Sequence, residues 1–105
     1  MIEVDSSGNL ANSERALNTV YKNTTGYPIM VIALVFLTAN TTMTAFSDSS
    51  VNPTTQVYAS IVANATGSNA INIFFVLPGN YYKITCSTSL GLWREFICQN
   101  GTMTD

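Results

Sequence analysis

The residues of this chain that could carry out acid–base chemistry are few. Histidine is absent, which excludes an imidazole base, a Ser-His or Cys-His pair and a His-ligated metal site. Catalysis by two carboxylates requires groups held about 5–9 Å apart in a cleft, and the scattered acidic residues give no such pair. We therefore expect no enzymatic activity, no catalytic residue, no cofactor and no metal. The acidic residues are Glu3, Asp5, Glu14, Asp48, Glu95 and Asp105.

Glu95 lies inside a stretch with a strand pattern, and it follows Arg94 directly. Adjacent opposite charges in a short strand are typical of a solvated pair, so we expect an exposed pair on an edge strand. The only other cations are Arg15, Lys22 and Lys83, too few to neutralise a phosphate backbone, which excludes nucleic-acid binding.

The apolar segments of the chain indicate neither a signal peptide nor a membrane helix. No basic stretch followed by an apolar run opens the chain, and the longest apolar run, 29–37, has nine residues where a membrane helix needs about 20. We expect a protein made in a cytosol that does not enter membranes. The two cysteines, Cys86 and Cys98, are expected to be free, buried thiols, with a single bridge between neighbouring strands as the alternative.

The 105 residues suffice for one domain. Only 10% of them are charged, 47% are hydrophobic, and Asn, Thr and Ser make up a third of the chain. Because soluble domains average about 25% charged residues, neutral polar groups must keep this surface hydrated.

Runs rich in β-branched and aromatic residues, separated by Gly, Pro, Asn and Ser, fill the chain from Thr19 onward. We predict a small all-β domain, an antiparallel β-sandwich or jelly-roll-like fold, over 19–98. A short N-terminal arm (1–18) and a polar tail (99–105) flank it. A buried helix is the alternative for 29–37. The predicted strands cover 29–37, 40–50, 56–65, 70–77, 81–87 and 92–98.

The strand at 29–37 is apolar on both faces, so both faces need cover. A small chain has a modest core, and a symmetric oligomer would supply the second cover. The alternative is that the N-terminal arm folds back over that face. The residues predicted at the oligomer interface are Met30, Ile32, Leu34, Phe36, Phe74 and Val76.

Three aromatic residues, Tyr81, Tyr82 and Trp93, allow a different interpretation. Exposed on a β-sandwich, they would stack on sugar rings while Asn and Thr side chains bound the hydroxyls. The favoured interpretation is that the aromatic residues fill the core and a subunit interface.

The string Y-K-N-T-T-G-Y-P-I at 21–29 resembles a module of tailed bacteriophages, and so does its context. It follows S-E-R-A-L-N-T-V at 13–20 and precedes an apolar strand. A Pro-Gly turn with aromatics at 77–84 and a Trp-x-Glu at 93–95 extend the resemblance to about three-quarters of the chain. The stretch 41–54 departs from the pattern, because many relatives carry a Gly-containing hairpin there. Members occur at the C-termini of tail fibres and as small free-standing virion proteins.

The resemblance implies a trimeric β-sandwich without enzymatic activity. Since the sequence has no shaft with which to form a fibre, we expect a homotrimeric capsid decoration or cement protein, assembled in the host cytoplasm and located in the virion. Its partners would be other copies of itself and the major capsid protein or other virion proteins. Glu14, Arg15 and Leu17 of the arm are expected to grip the capsid. The alternatives are a tail-tip or tail-fibre knob that contacts the host surface, and a carbohydrate-binding module that contacts a glycan.

Overall fold

A computed structural model of the chain describes residues 2–3, 15–38, 41–62 and 68–98. Within these ranges every regular element is a strand, and the strands form two antiparallel four-stranded sheets. The predicted small all-β sandwich is confirmed, and 29–37 is a strand. The strands are β1 (Ile2–Glu3), β2 (Tyr21–Lys22), β3 (Ile29–Leu37), β4 (Thr42–Asp48), β5 (Gln56–Val62), β6 (Ser68–Val76), β7 (Tyr81–Thr85) and β8 (Ser89–Ile97).

Sheet 1 has the strand order β1-β8-β3-β6, and sheet 2 has the order β2-β7-β4-β5. The strand β3 is the centre of sheet 1: it pairs with β6 from Ile29↔Val76 to Leu37↔Ser68, and with β8 on its other side. Since β3 is apolar on both faces and rich in β-branched residues, a central position with two neighbours suits it.

The core lies between the sheets and follows the period-two alternation of the strands. Every second residue of β3, from Ile29 to Leu37, is buried. Sheet 2 closes the core with Met43 and Ala45 of β4 and with Tyr82 and Ile84 of β7. Alternation with polar residues directs Tyr82, Ile84 and Cys86 to one side of their segment, and all three are buried.

Phe74 and Val76 correct one part of the predicted interface. Both are buried in the core, where they lie opposite Val31 and Ile29 of β3. In a strand, alternate residues share a face. The exposed side of β6 therefore carries Ile71, Ile73 and Phe75, and Phe75 lies between Phe74 and Val76 in the chain. Phe74 and Val76 therefore cover the inside of their own subunit and do not reach a partner.

Part of the segment predicted as an anchoring arm contacts the domain itself. Arg15 forms an ion pair with Glu95, and Leu17 packs against the core. These two side chains hold the segment to its own domain, and whether they also contact a capsid stays a prediction. Glu14 and the tail at 99–105 lie outside the described residues. Ile2–Glu3, where no strand was predicted, pairs with Ile97 and Phe96 of β8.

The turn before β3 is built by Asn23 and Thr25. The buried Asn23 side-chain amide donates to the carbonyls of Tyr27 (2.7 Å) and Val76 (3.0 Å). Its Oδ1 accepts from the Thr25 backbone N–H (3.1 Å) and hydroxyl (2.7 Å). The Asn23 backbone exchanges hydrogen bonds with the facing turn, accepting from Gly79 N and donating to Asn80 O. One side chain thus joins the entry of β3 to the end of β6.

The loop after β4 is organised by one carboxylate. The backbone N–H groups of Ser50, Thr54 and Thr55 donate to Asp48 at 2.8–2.9 Å. These bonds, that of Thr54 foremost, lower the pKa of Asp48 to about 2. Both cysteines, Cys86 and Cys98, are buried free thiols, as expected.

Candidate functional site

The outward side of sheet 1 is an exposed apolar surface, which we call the outer face. Its central row, on β3, is flanked in register by β6 and β8: Ile32, for example, lies between Ile73 and Arg94. Four of its side chains are about half exposed: Ile71 54%, Ile73 52%, Phe75 49% and Phe36 44%. The outer face comprises Met30, Ile32, Leu34 and Phe36 of β3, Ile71, Ile73 and Phe75 of β6, and Leu92, Arg94 and Phe96 of β8.

Arg94 is the one charged side chain that β3, β6 and β8 contribute to the outer face. Its guanidinium lies 5.3 Å from the centre of the Phe96 ring, within the range of a cation–π contact. The charge is therefore held over an aromatic ring of the same strand, and the outward rows of β3 and β6 carry no charge.

Phe36 and Gly91 shape one end of the outer face. A Cβ atom at Gly91 would lie 2.7 Å from two carbons of the Phe36 ring. The glycine thus lets the ring lie across β8 where any side chain would push it away. This packing keeps the exposed ring close to the sheet.

The outward side of sheet 2 has different chemistry. Its rings are covered by cations: the Lys22 ammonium lies 5.6 Å from the Tyr81 ring centre, and the Lys83 ammonium 5.4 Å from that of Phe46. Hydroxyl groups such as that of Thr85 accompany them. Among the described residues, only the outer face of sheet 1 is a broad and largely apolar surface, which makes it the candidate contact surface.

Buried between the sheets, Glu95 is the centre of a polar cluster. Its Oε2 accepts hydrogen bonds from the Tyr82 hydroxyl (2.6 Å), from Trp93 Nε1 (2.8 Å) and from Arg15 Nε (3.2 Å). Arg15 Nη2 also donates to Oε1 (3.3 Å). The expected exposed pair of Glu95 with Arg94 is wrong: Glu95 faces inward, and its strand β8 lies between β1 and β3.

The environment of the cluster fixes its protonation. Burial raises the pKa of the Tyr82 phenol, and the charge and hydrogen bond of Glu95 raise it further. Burial alone would lower the pKa of Arg15, but the hydrogen bond and the charge of Glu95 have the larger combined effect. The pKa of Arg15 therefore lies above its usual value. Tyr82 therefore remains a donor and Arg15 a cation, so the donors around the carboxylate stabilise its charge. The cluster suits a structural role.

The proposed sugar-stacking residues do not form a surface. Trp93 is 0% and Tyr82 1% exposed. Their rings pack against each other, with centres 6.3 Å apart, and each lies 6.0 Å from the ring of Tyr21. Tyr81 points to the opposite side of its strand, under Lys22. The glycan site proposed for Tyr81, Tyr82 and Trp93 is therefore wrong, because two of its three rings are in the core.

Other features of the described residues offer no competing site. A shallow open cleft of about 420 Å³ is lined by neutral polar groups, among them Asn18, Thr41 and Ser87. No cluster of three metal-ligating side chains occurs within the described ranges. In the same ranges, no helix has the length and apolar character to cross a membrane.

Asn72 is a buried polar residue on the inward side of β6. Its Nδ2 donates to the Ala33 carbonyl (3.3 Å), but its Oδ1 has no hydrogen-bond partner among the described residues. A buried acceptor left unsatisfied costs about 1–3 kcal/mol. We expect Asn72→Leu, which keeps the branched shape, to raise the free energy of unfolding by about 1 kcal/mol.

Chemical denaturation measures this gain. Asn69→Leu, at an exposed site on the same strand, controls for the change in strand propensity. A loss of stability specific to Asn72→Leu would show that the buried oxygen is satisfied in solution.

Comparison of this chain with protein-family models, with curated proteins and with solved structures finds no match.

Sequence reasoning brought together only part of the outer face. Met30, Ile32, Leu34 and Phe36 lie on it as predicted, but whether they contact a second subunit stays a prediction. The row on β6 was missed because both sides of that strand are apolar. The exposed row on β6 is Ile71, Ile73 and Phe75, and the further apolar residues on β8 are Leu92 and Phe96.

Proposed function

We propose that this protein is a structural component of a bacteriophage virion, a homotrimer that decorates the capsid and cements it. The observation that carries the proposal is the outer face of sheet 1, a neutral apolar surface whose most exposed side chains are half open to solvent. Exposed apolar surfaces of this breadth are typical of protein contacts. The proposed location, on the capsid of a virion, comes from the resemblance of the motif at 21–29.

The remaining chemistry of the chain suits such a role. The carboxylate of Glu95 is held by three donor groups in the core. With 10% charged residues, the chain offers little to a charged ligand, and packing of neutral surfaces is the contact that it is equipped to make. The proposed partners are other copies of this chain and the major capsid protein, and the proposal includes neither an active site nor nucleic-acid binding.

The motif at 21–29 has a structural role in this chain. Asn23 and Thr25 form the turn that delivers Pro28 to the start of β3, and β3 supplies the central row of the outer face.

Replacing Ile71 by aspartate is expected to convert the trimer to monomers. The side chain is 54% exposed in the subunit, and its row across the sheet, Leu34 and Leu92, is apolar, so the subunit should stay folded while the contact acquires three unpaired buried charges. Light scattering of the wild type should give the mass of three chains, and that of I71D the mass of one. Val51→Asp, at an apolar loop residue that is 61% exposed, is the matched control and should remain trimeric. A monomeric wild type at micromolar concentration would overturn the homotrimer.

Capsid decoration is tested separately on particles. Particles stripped of the protein by mild denaturant are mixed with purified protein, and bound copies are counted and located by electron microscopy. Decoration requires saturable binding to heads by the wild type and by V51D. Binding confined to tails would replace decoration with the tail-tip alternative, and absence of binding to either would contradict a virion role.

A further inference from the structure

We infer that the backbone edge of β6 is a further interaction surface, which takes an antiparallel strand from β6 of another copy of this chain. Four strands lie at the margins of the two sheets, namely β1, β6, β2 and β5, and β6 differs from the other three. The pairing does not depend on the proposed homotrimer, because the edge of a strand and the outward side chains of its sheet are different surfaces.

The other three marginal strands are poor templates for an added strand. β1 and β2 are two residues long, and very short edge strands offer little to pair with. β5 pairs with β4 through register shifts between Met43 and Ala45 and between Ala45 and Phe46, and such irregularities twist an edge away from a partner. β6 has nine residues that pair with β3 one for one, without a shift. Among the described residues, β6 is therefore the one long and regular edge.

The hydrogen bonds of β3 show which backbone groups of β6 point away from it. Cys98 N donates to Pro28 O at the entry of β3, and alternate residues of an antiparallel strand bond to opposite neighbours. The odd-numbered residues of β3 therefore bond to β6, where their partners are even-numbered, as Val76 is opposite Ile29. The residues of β6 whose N–H and C=O groups point to the free side are Asn69, Ile71, Ile73 and Phe75.

One of these outward groups has a side-chain partner. The Tyr58 hydroxyl, from β5 of the other sheet, donates to Ile71 O at 2.6 Å, which agrees with an outward direction of this carbonyl. The ring of Tyr58 packs against the core. Tyr58 thus occupies an acceptor that an added strand would use. Because a carbonyl oxygen can accept two hydrogen bonds, Tyr58 competes with strand addition but does not prevent it.

The residue types of β6 give this edge no protection. The strand reads Ser-Asn-Ala-Ile-Asn-Ile-Phe-Phe-Val, without charge, proline or glycine. Edges that avoid pairing carry lysine, proline or inward-pointing charges. Uncharged segments of high β-propensity without proline are the ones that pair with identical segments of other copies. The composition of β6 therefore favours pairing with itself.

A second copy of β6 also fits the edge by register. Antiparallel pairing centred on Asn72 overlaps all nine residues and sets Ile71 of each copy opposite Ile73 of the other. Apolar β-branched pairs of this kind stabilise a sheet, and no like charges meet. The two ends of the described chain lie at the opposite edge of sheet 1, because Ile2–Glu3 pairs with β8 and Cys98 follows β8.

The pairing joins two four-stranded sheets into one sheet of eight strands, with both outer faces on the same side. A single strand pair is small beside the roughly 1,200–2,000 Å² of a stable two-protein interface. We therefore expect it in concentrated protein, or where copies lie side by side, and not in dilute solution.

Sedimentation at rising protein concentration tests the pairing. We expect the wild type to associate beyond its dilute-solution mass as it approaches millimolar concentration. Tyr58→Phe removes the competing donor and should associate about two- to tenfold more tightly, whereas Tyr81→Phe, on the other sheet, should behave as the wild type. Ile73→Pro should not associate, because it removes an outward N–H but no bond to β3. Ile73→Val keeps that N–H and is its matched control.

The register is tested by bridging thiols between preparations that were purified separately. Isotope-labelled Ile71→Cys protein is mixed with unlabelled Ile73→Cys protein and treated with a short thiol-bridging reagent. Opposed residues have Cα atoms about 5.5 Å apart, whereas two copies of the same residue would lie about 9 Å apart on the diagonal. Links between labelled and unlabelled chains should therefore form in this mixture and not in I71C with I71C or I73C with I73C. The wild-type cysteines are buried and should not react.

The outcomes distinguish this pairing from the proposed homotrimer. Wild type and Y58F that both keep their dilute-solution mass up to millimolar concentration would overturn the pairing and leave the homotrimer intact. Links that form equally in all three mixtures, or association that I73P retains, would place the contact elsewhere and also overturn it. A wild type that is monomeric in dilute solution but gives the I71C–I73C links would overturn the homotrimer and support the β6 pairing.

Discussion

Replacing Glu95 by alanine is expected to lower the free energy of unfolding by about 3–5 kcal/mol, the usual cost of breaking a buried ion pair. The change removes the acceptor of the Tyr82 hydroxyl and of Trp93 Nε1, both buried, and leaves Arg15 without its carboxylate. A domain of this size has about 5–15 kcal/mol of stability in total. The loss therefore endangers folding at physiological temperature.

Trp93, the single tryptophan, reports this loss directly. Guanidinium unfolding followed by its fluorescence gives the free energy of each variant. Arg15→Met tests the same cluster from the other side and should cost less than E95A, since Arg15 is partly exposed. Lys22→Met is the matched control, because Lys22 also lies over a tyrosine ring but at an exposed position. A loss below about 1 kcal/mol for E95A would mean that the cluster is solvated.

Replacing Asn23 by alanine is expected to cause the second large loss in the free energy of unfolding. It leaves the carbonyls of Tyr27 and Val76 and the donors of Thr25 without their side-chain partner. Because Asn23 is buried, we expect a loss of about 1–3 kcal/mol in the free energy of unfolding. Asn52→Ala, at an exposed loop residue, is the control and should change little.

A second pair of variants isolates the hydroxyl in the same turn. Thr25→Val removes the group that donates to Asn23 Oδ1, whereas Thr24→Val changes an exposed neighbour. Denaturation should show a loss for the first and almost none for the second. Equal effects would indicate that the turn is held by its backbone bonds alone.

The strand pattern predicts the fold where the two faces of a strand differ. Tyr82, Ile84 and Cys86 alternate with polar residues, so their inward direction follows from the sequence. β6 is apolar on both faces, so the alternation of its residues does not predict which face packs against the other sheet. The register of β6 on β3, a long-range pairing, decides that Phe74 and Val76 point inward.

The buried cluster was missed for a different reason. Glu95 and Trp93 are two residues apart, so the burial of Trp93 places Glu95 on the same inward side. Charged residues are rarely buried without a partner, and the partners here, Arg15 and Tyr82, come from 80 and 13 residues away. Sequence spacing alone does not predict that these side chains contact Glu95.

All four cations of the chain lie over aromatic rings: Arg15 over Tyr21, Lys22 over Tyr81, Lys83 over Phe46 and Arg94 over Phe96. Long basic side chains normally lose about 2 kcal/mol of rotamer freedom when a partner immobilises them. Here the rings already restrict that freedom within the subunit. In the proposed assembly, copies that pack side by side would therefore lose little further motion from their basic residues.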